Sequence, residues 1–268
     1  MSSYAIRQLS ESDRPLLLSF LRQDPENNQF ALDDIAAYGV RGPRVSAWGA
    51  FRNACLVGVV ITLDRNVRLY ALDRACLAQL VPMTRRGENL SGEYGLVEDA
   101  LALVPPQRIV WRKTVDFCRL DAPDFNLIDS VEVRIATQDD LPALVGLYSE
   151  NDAFRQQTPG QVWDNMERVL SSCRYYVAPA DGRIVSAAAV VGETERRGMI
   201  VSVFTAPEAR SRGLAKCVVS AACAYLLANG RTPYLFYDED NVVAGRVYHW
   251  LGFHHIGRWL LARLVAFG

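Results

Sequence analysis

The sequence predicts an α/β protein with mixed sheets, built from two domains of similar plan in tandem. Two observations predict this fold: the chain starts twice with one pattern, and β-rich runs precede amphipathic helices in both halves. The length of 268 residues also favours two domains, at roughly 100–200 residues per domain. We expect the domains at residues 1–122 and 130–268, with a proline-containing linker at 120–126.

The two beginnings are Tyr4–Leu21 and Val131–Tyr148, which a shift of 127 positions superposes. Each contains a short alternating strand and then a helix start, where Ser10 or Thr137 precedes an aspartate by three residues. Four identities support the alignment: Arg7 with Arg134, Asp13 with Asp140, Pro15 with Pro142, and Leu17 with Leu144. The pattern therefore predicts one strand–cap–helix unit made twice.

Both halves continue with two β-rich runs joined by a turn. In the first half these are Val45–Phe51 and Leu56–Leu63, and in the second Arg174–Ala178 and Ile184–Val191. The halves then differ, because Leu63–Leu80 predicts a strand and a helix without a glycine loop between them. We therefore expect the first domain to be a degenerate copy of the second.

Composition excludes several classes of function. The chain has 29 Lys and Arg against 30 Asp and Glu, a net charge of −1, so neither nucleic acid nor an anionic membrane is an expected partner. No apolar run approaches the roughly 20 residues of a membrane span, and the N-terminus resembles no signal peptide. The six cysteines lack zinc spacing and sit largely in apolar runs, which predicts buried thiols, no metal site and a cytoplasmic location.

The informative stretch begins with the apolar run Met199–Phe204, which predicts a buried strand. A loop, Arg210–Ala215, separates it from a helix predicted at about Lys216 to Asn229, with Gly230 as its C-terminal cap. A strand, a tight loop and a helix N-terminus together form an anion site, since the first helical N–H groups lack partners. Taken alone, this loop is more typical of a solvated basic turn before an ordinary helix.

A second strand and helix follow this loop. Tyr234–Tyr237 predicts a strand, and Val242–Leu251 predicts a helix. One face of that helix carries Ala244, Val247, Tyr248 and Leu251. The turn between strand and helix is acidic, with Asp238, Glu239 and Asp240.

At these residues the sequence resembles the GNAT superfamily of acyl-CoA-dependent N-acyltransferases. The family pattern Q/R-x-x-G-x-G/A is matched by Arg210, Gly213 and Ala215. Its pattern N-x-x-A-x-x-x-Y-x-x-x-G-F is matched by Asn241, Ala244, Tyr248, Gly252 and Phe253. The resemblance covers roughly residues 131–268, whereas the first half shares only the opening strand, helix and hairpin.

The resemblance implies two GNAT-like domains in tandem, the second an acetyl-CoA-dependent N-acetyltransferase. It implies that the pyrophosphate of coenzyme A binds the loop of Arg210, Ser211, Arg212, Gly213, Leu214 and Ala215. The pantetheine arm would lie along Val203, Phe204 and Thr205, and Asn241 would also contact the cofactor. Tyr248 matches the family's general acid, although without the flanking motif its position on an apolar helix face is more typical of a core tyrosine.

Several points stay open at this stage. No carboxylate occupies the family's usual place for a general base, and the nearest acidic residues are Glu193, Glu195, Asp238, Glu239 and Asp240. Trp163, Tyr175 and Tyr176 are possible walls of the acceptor site by fold analogy. The expected acceptor is a small-molecule amine or an α-amino group, the expected assembly a monomer or homodimer, and the expected stoichiometry one CoA per chain. The alternative function is a non-catalytic acyl-CoA-binding sensor or regulatory subunit.

Overall fold

The computed structural model describes residues 4–84, 87–151 and 157–265. The chain divides into two compact units, Met1–Val115 with Gly257–Gly268 (unit 1) and Asp116–Ile256 (unit 2). The units differ from the predicted domains at two boundaries, because residues 116–122 group with unit 2 and residues from Gly257 onward group with unit 1.

Unit 1 contains a mixed sheet with helices packed against it. Its strands are β1 (Ala5–Gln8), β2 (Val45–Arg52), β3 (Cys55–Leu63), β4 (Asn66–Ala71) and β5 (Asn89–Glu93). They pair in sequence order; β1 to β4 are antiparallel, and β4 and β5 are parallel. Residues Trp259–Arg263 of the last strand pair with β5. The helices are α1 (Arg14–Leu21), α2 (Gln29–Tyr38), α3 (Leu77–Leu80) and α4 (Tyr94–Leu101).

Unit 2 has the same plan with longer elements after its hairpin. Strand β6 (Ile109–Leu120) enters the unit at Asp116. The remaining strands are β7 (Arg134–Ile135), β8 (Arg174–Ala180), β9 (Arg183–Val191), β10 (Arg197–Thr205) and β11 (Thr232–Asp238). The helices are α5 (Leu141–Ser149), α6 (Pro159–Ser172), α7 (Leu214–Ala228) and α8 (Val242–Leu251), and the last strand, β12 (Phe253–Leu264), starts in this unit.

The sheet order in unit 2 is β6-β11-β10-β9-β8-β7. The β7–β8, β8–β9 and β9–β10 pairs are antiparallel, and β10 and β11 are parallel. Helix α7 buries Val218, Ala222 and Leu226 in the same hydrophobic core as Ile200 of β10 and Leu235 of β11. This parallel pair, connected through a helix, is what positions the candidate site.

The repeated opening is confirmed in detail. Arg7 donates to both carboxylate oxygens of Asp13 at 2.9 and 2.6 Å, and Arg134 donates to both of Asp140 at 2.6 and 2.7 Å. Each aspartate also accepts the backbone N–H of the residue three positions earlier, Ser10 or Thr137, at 2.9 and 2.8 Å. The two halves therefore build the same strand–cap–helix unit.

The predicted elements are present in the structure, but helix α7 begins two residues earlier than predicted and the helix within 63–80 has only four residues. Strands β5 and β6 and helices α2, α4 and α6 were not predicted. The prediction of buried cysteines is wrong for Cys55, which is exposed in the hairpin, and for Cys173, which is half-buried, whereas the other four are buried. No helix in the described residues combines the length and the hydropathy that crossing a bilayer requires.

Candidate active site

The candidate site lies where two parallel strands of unit 2 diverge. Residues of β10 and β11 are in register from Arg197 and Thr232 to Ile200 and Leu235, and the pairing ends there. Beyond this point a cavity of about 920 Å³ opens, lined by residues of β10, β11, α7 and α8. A cavity of this volume is within the usual range for cofactor and drug-sized ligands.

A β-bulge shapes the wall of the cavity on β10. Val201 pairs with Ala189 and Phe204 with Ala187, so two residues of β10 stand opposite one residue of β9. Ser202, in the bulge, has a φ of 53°, an uncommon conformation for a residue with a side chain. Of the predicted cofactor residues, Val203 lines the cavity from within the bulge, and Phe204 and Thr205 line it immediately after the bulge.

The N-terminus of α7 opens onto the same cavity. Gly213 is its N-cap residue, with a φ of 79°, and no side chain caps the helix. A methyl group added at Gly213 would meet no atom within 4 Å. The first N–H groups of a 15-residue helix are thus uncapped beside open space, which suits an anion.

The predicted loop residues are brought together with one exception. Arg210, Ser211, Gly213, Leu214 and Ala215 line the cavity. Arg212 is exposed in the same turn but is not among the lining residues. Arg210 donates from Nε to the carbonyl oxygen of Thr205 at 3.2 Å, which ties the loop to the end of β10.

Two further residues of the helices line the cavity. Asn241, for which contact with the cofactor was predicted, is one of them, and its side-chain oxygen accepts the backbone N–H of Ala244 at 3.0 Å and so caps α8. Lys216, on the first turn of α7, was not predicted, and its ammonium lies 4.3 Å from the centroid of the Trp250 ring. The signal in the sequence that would have indicated Lys216 is its position three residues after Gly213.

Tyr248 lies in the cavity wall on α8. Its side chain is 6% exposed, and its ring packs 5.5 Å from Tyr237 and 6.0 Å from Phe253, measured between centroids. Burial raises the pKa of Tyr248 above that of an ordinary tyrosine, so the phenol keeps its proton in neutral and mildly alkaline solution. Within the described part of the chain, its hydroxyl has no hydrogen-bonding partner, so it is able to donate to a ligand.

The structure separates the five candidate base residues. Asp238, at the end of β11, lines the cavity, whereas Glu193, Glu195, Glu239 and Asp240 are not among the lining residues. Glu193 is 2.6 Å from Arg231 and accepts from the Tyr225 hydroxyl at 3.1 Å, which accounts for its carboxylate.

The three proposed acceptor walls are also outside the lining of this cavity. Tyr175 and Tyr176 are buried on β8, and Trp163 is 39% exposed on α6. Fold analogy alone suggested these three residues. The residues that line the cavity lie on β10, β11, α7 and α8 and on the adjoining loops.

A neighbouring group was missed because its strand was not predicted. Asp116, on β6, hydrogen bonds the hydroxyl of the cavity-lining Tyr237 and lies 3.2 Å from His255 Nε2. Burial, with Asp116 adding to it, raises the pKa of Tyr237 to about 12.

One group of side chains outside the cavity has metal-ligand composition. Donor atoms of Asp121, Asp124 and His254 lie within 4.8 Å of one another. His254 Nε2 is 2.8 Å from Asp124 Oδ2, so a direct hydrogen bond already joins two of the three. We assign no function to this group.

Comparison with known proteins agrees with this geometry. The family model for GNAT acetyltransferases matches residues 125–261. The chain belongs to the GNAT acetyltransferase family. No curated protein matches the sequence at a significant level.

Solved structures with GNAT folds cover nearly the whole of this GNAT chain. A GNAT-family acetyltransferase from Colwellia psychrerythraea has a TM-score of 0.62 at 15% identity, covering 97% of this chain and 100% of that one. A GCN5-related N-acetyltransferase from Sphaerobacter thermophilus has a TM-score of 0.68 at 16% identity, covering 99% and 96%. A tandem GNAT protein from the clavulanic acid biosynthesis pathway has a TM-score of 0.59 at 15% identity, covering 98% of both chains. The predicted fold class, a mixed α/β fold of the GNAT type, is confirmed.

Proposed function

We propose that this protein transfers an acetyl group from acetyl-CoA to a primary amine of a small-molecule or α-amino acceptor. One observation carries the proposal: the uncapped N-terminus of α7 and the hydroxyl-bearing Tyr248 line the same cavity. The N-terminus of α7 is a site for an anion, and the Tyr248 phenol is a protonated acid. A CoA thioester needs an anion site for its phosphates and an acid to protonate its departing sulfur.

The residues present suit a CoA thioester as the donor. The open space beside Gly213 lets phosphate oxygens approach the N–H groups of the first turn of α7, and Arg210 adds a cation. Beyond Ile200, β10 has no partner strand on its β11 side in the part of the chain that the structure describes, so its peptide groups are able to pair with an extended amide-bearing arm.

The chemistry is direct attack of the amine on the thioester carbonyl. The C–N bond forms, the C–S bond breaks, and Tyr248 gives its proton to the departing sulfur. The attacking nitrogen must lose one proton, and Asp238 is the predicted carboxylate in the cavity wall that is placed to accept it, directly or through water. Solvent then restores the phenol.

The substitution Tyr248→Phe tests this assignment. We expect kcat to fall by about a hundredfold or more, the usual contribution of a general acid, with the dissociation constant for CoA unchanged. The matched control is Tyr225→Phe, which removes the tyrosine hydroxyl bonded to Glu193, a residue outside the cavity lining. Acetyl transfer is followed as free thiol released in the presence of a panel of primary amines.

A non-catalytic acyl-CoA-binding sensor is the second candidate. It is favoured by the start of β10, where Arg197, Gly198 and Met199 provide no carboxylate for a general base. A wild-type chain that binds CoA but releases no thiol with any amine of the panel would support the sensor and contradict the transferase.

A further inference from the structure

The hydroxyl of Tyr148 reaches the β10 bulge from inside the core of unit 2. Tyr148 is the eighth residue of α5 and has no exposed surface. Its hydroxyl donates a hydrogen bond to the backbone carbonyl oxygen of Ser202. Its ring lies 6.0 Å from the ring of Phe204, the next residue of β10 that pairs with β9. A single core side chain thus contacts both sides of the bulge.

The bonded carbonyl belongs to a backbone segment that the sheet does not hold. Pairing with β11 ends at Ile200, and on the β9 side Ser202 and Val203 stand opposite one residue. A non-glycine residue at a φ of 53° persists where surrounding contacts impose it. The Tyr148 hydrogen bond is such a contact, since burial raises the pKa of Tyr148 well above the ordinary value and keeps it a donor.

Unit 1 provides an internal comparison. Leu21 stands where the repeat places Tyr148, and it is fully buried but has no hydroxyl. The β3–β4 pair, which corresponds to β9–β10, runs in continuous register from Gly58 and Ala71 to Leu63 and Asn66, without a bulge. At the positions that correspond between the units, the hydroxyl and the bulge are thus present together in unit 2 and absent together in unit 1.

We propose that Tyr148 is a positioning residue, which holds the β10 bulge in the conformation that binds the pantetheine arm of the acyl-CoA donor. The inference rests on the proposed function, because it names the part of the donor that the bulge recognises. It assigns no proton transfer to Tyr148, which is fully buried and is not among the cavity-lining residues.

The experiment compares Tyr148→Phe with Tyr225→Phe in the full chain. Each variant removes one tyrosine hydroxyl that makes a hydrogen bond, but Tyr225 bonds Glu193 rather than the bulge. Calorimetry measures the dissociation constants of two ligands: CoA, and adenosine 3′,5′-bisphosphate, which lacks the pantetheine arm. Hydrogen exchange of the unliganded proteins reports on β10 without any ligand.

We expect Tyr148→Phe to weaken CoA binding by about threefold to tenfold, the effect of one neutral hydrogen bond, and to leave the bisphosphate within twofold of wild type. Amide exchange in residues 199–206 is expected to become faster by a similar factor in Tyr148→Phe alone. Tyr225→Phe should change neither the affinity for CoA nor amide exchange in residues 199–206.

Two results would overturn the inference. One is equal weakening of CoA and the bisphosphate, which indicates a general loss of structure. The other is unchanged exchange at 199–206 with unchanged CoA affinity. If the wild-type chain binds neither ligand, the proposed function itself fails, and the exchange data still decide whether Tyr148 holds the bulge.

Discussion

Gly213 is the residue on which the donor site depends most directly. Its φ of 79° belongs to the left-handed region that residues with a Cβ rarely adopt, and the space beside it is open. A side chain there would both strain the backbone and occupy the space next to the first N–H groups of α7. Glycine is therefore required for two separate reasons, one conformational and one for access.

The substitution Gly213→Ala separates these reasons when it is compared with Gly230→Ala. Gly230 follows α7, has a φ of 68° and also faces open space. We expect each variant to lose about 1 kcal/mol of unfolding free energy, measured by denaturant titration. Gly213→Ala should also weaken CoA binding by about tenfold or more, whereas equal CoA affinities in the two variants would contradict the anion site.

The pH dependence of turnover tests the state of Tyr248. Its pKa is raised by burial, so the protonated phenol that donates to sulfur persists above the ordinary tyrosine pKa of about 10. We therefore expect kcat at saturating substrates to show no decline between about pH 7.5 and 9.5. If kcat declined in this range in the wild type but not in Tyr248→Phe, the phenol would lose its proton at a lower pH than its burial implies, which would contradict this assignment.

At the scale of elements, the repeated caps explain how each unit starts. Hydrogen bonds from Arg134, then the N–H of Thr137, lower the pKa of Asp140 to about 2, and Asp13 is lowered in the same way by Arg7. A depressed folded-state pKa stabilises the fold above the unfolded value, and this contribution is lost as the pH falls through the folded value. The caps should therefore weaken between about pH 4 and pH 2.

The substitution Asp140→Asn is expected to lower the unfolding free energy by about 1–2 kcal/mol at pH 7. The difference from wild type should shrink as the pH falls from 4 through 2, because the carboxyl of the folded wild-type protein is already half protonated near pH 2. Asp139→Asn, at the exposed neighbouring position, is the control and should have little effect. A deficit of equal size at pH 7 and pH 2 would show that the carboxylate charge is not what stabilises the cap.

Elements with local signals could be predicted from the sequence. Helix α8 was predicted at its observed bounds because Asn241 caps it and Gly252, with a φ of 100°, ends it. The loop Arg210–Ala215 was predicted to precede a helix for the same reason, since its glycine and arginines are close together in sequence.

Features made by distant residues were not predictable. Strand β6 carries four exposed residues near its start and lacks a simple alternation, so its Asp116, which bonds Tyr237, went unnoticed. The bulge at Ser202 depends on Tyr148, 54 positions earlier in the chain, and no local pattern marks it.

At the scale of the whole molecule, the two units share a plan but differ at the end of the parallel pair. In unit 1 the carboxylate of Asp73 accepts the N–H of Ala75 at 3.2 Å and so caps the short helix that begins at Arg74. The N-terminus of α7 in unit 2, by contrast, has no side-chain cap among the described residues. The helix that follows, α3, has only four residues. Arg74 then bridges Asp99 at 2.7 Å and Glu93 at 3.4 Å, which ties the end of β5 to α4.

These contacts predict one donor site per chain. A carboxylate already occupying the helix N-terminus repels a phosphate, and a four-residue helix provides little dipole. Unit 1 should therefore bind no CoA.

The most direct test of the account is a calorimetric titration of the full chain with CoA. We predict saturation at one CoA per chain, with affinity reduced in Gly213→Ala and retained in Gly230→Ala. A titration with no binding, or with two equivalent sites of which Gly213→Ala removes neither, would contradict the assignment of the donor site to the cavity of unit 2.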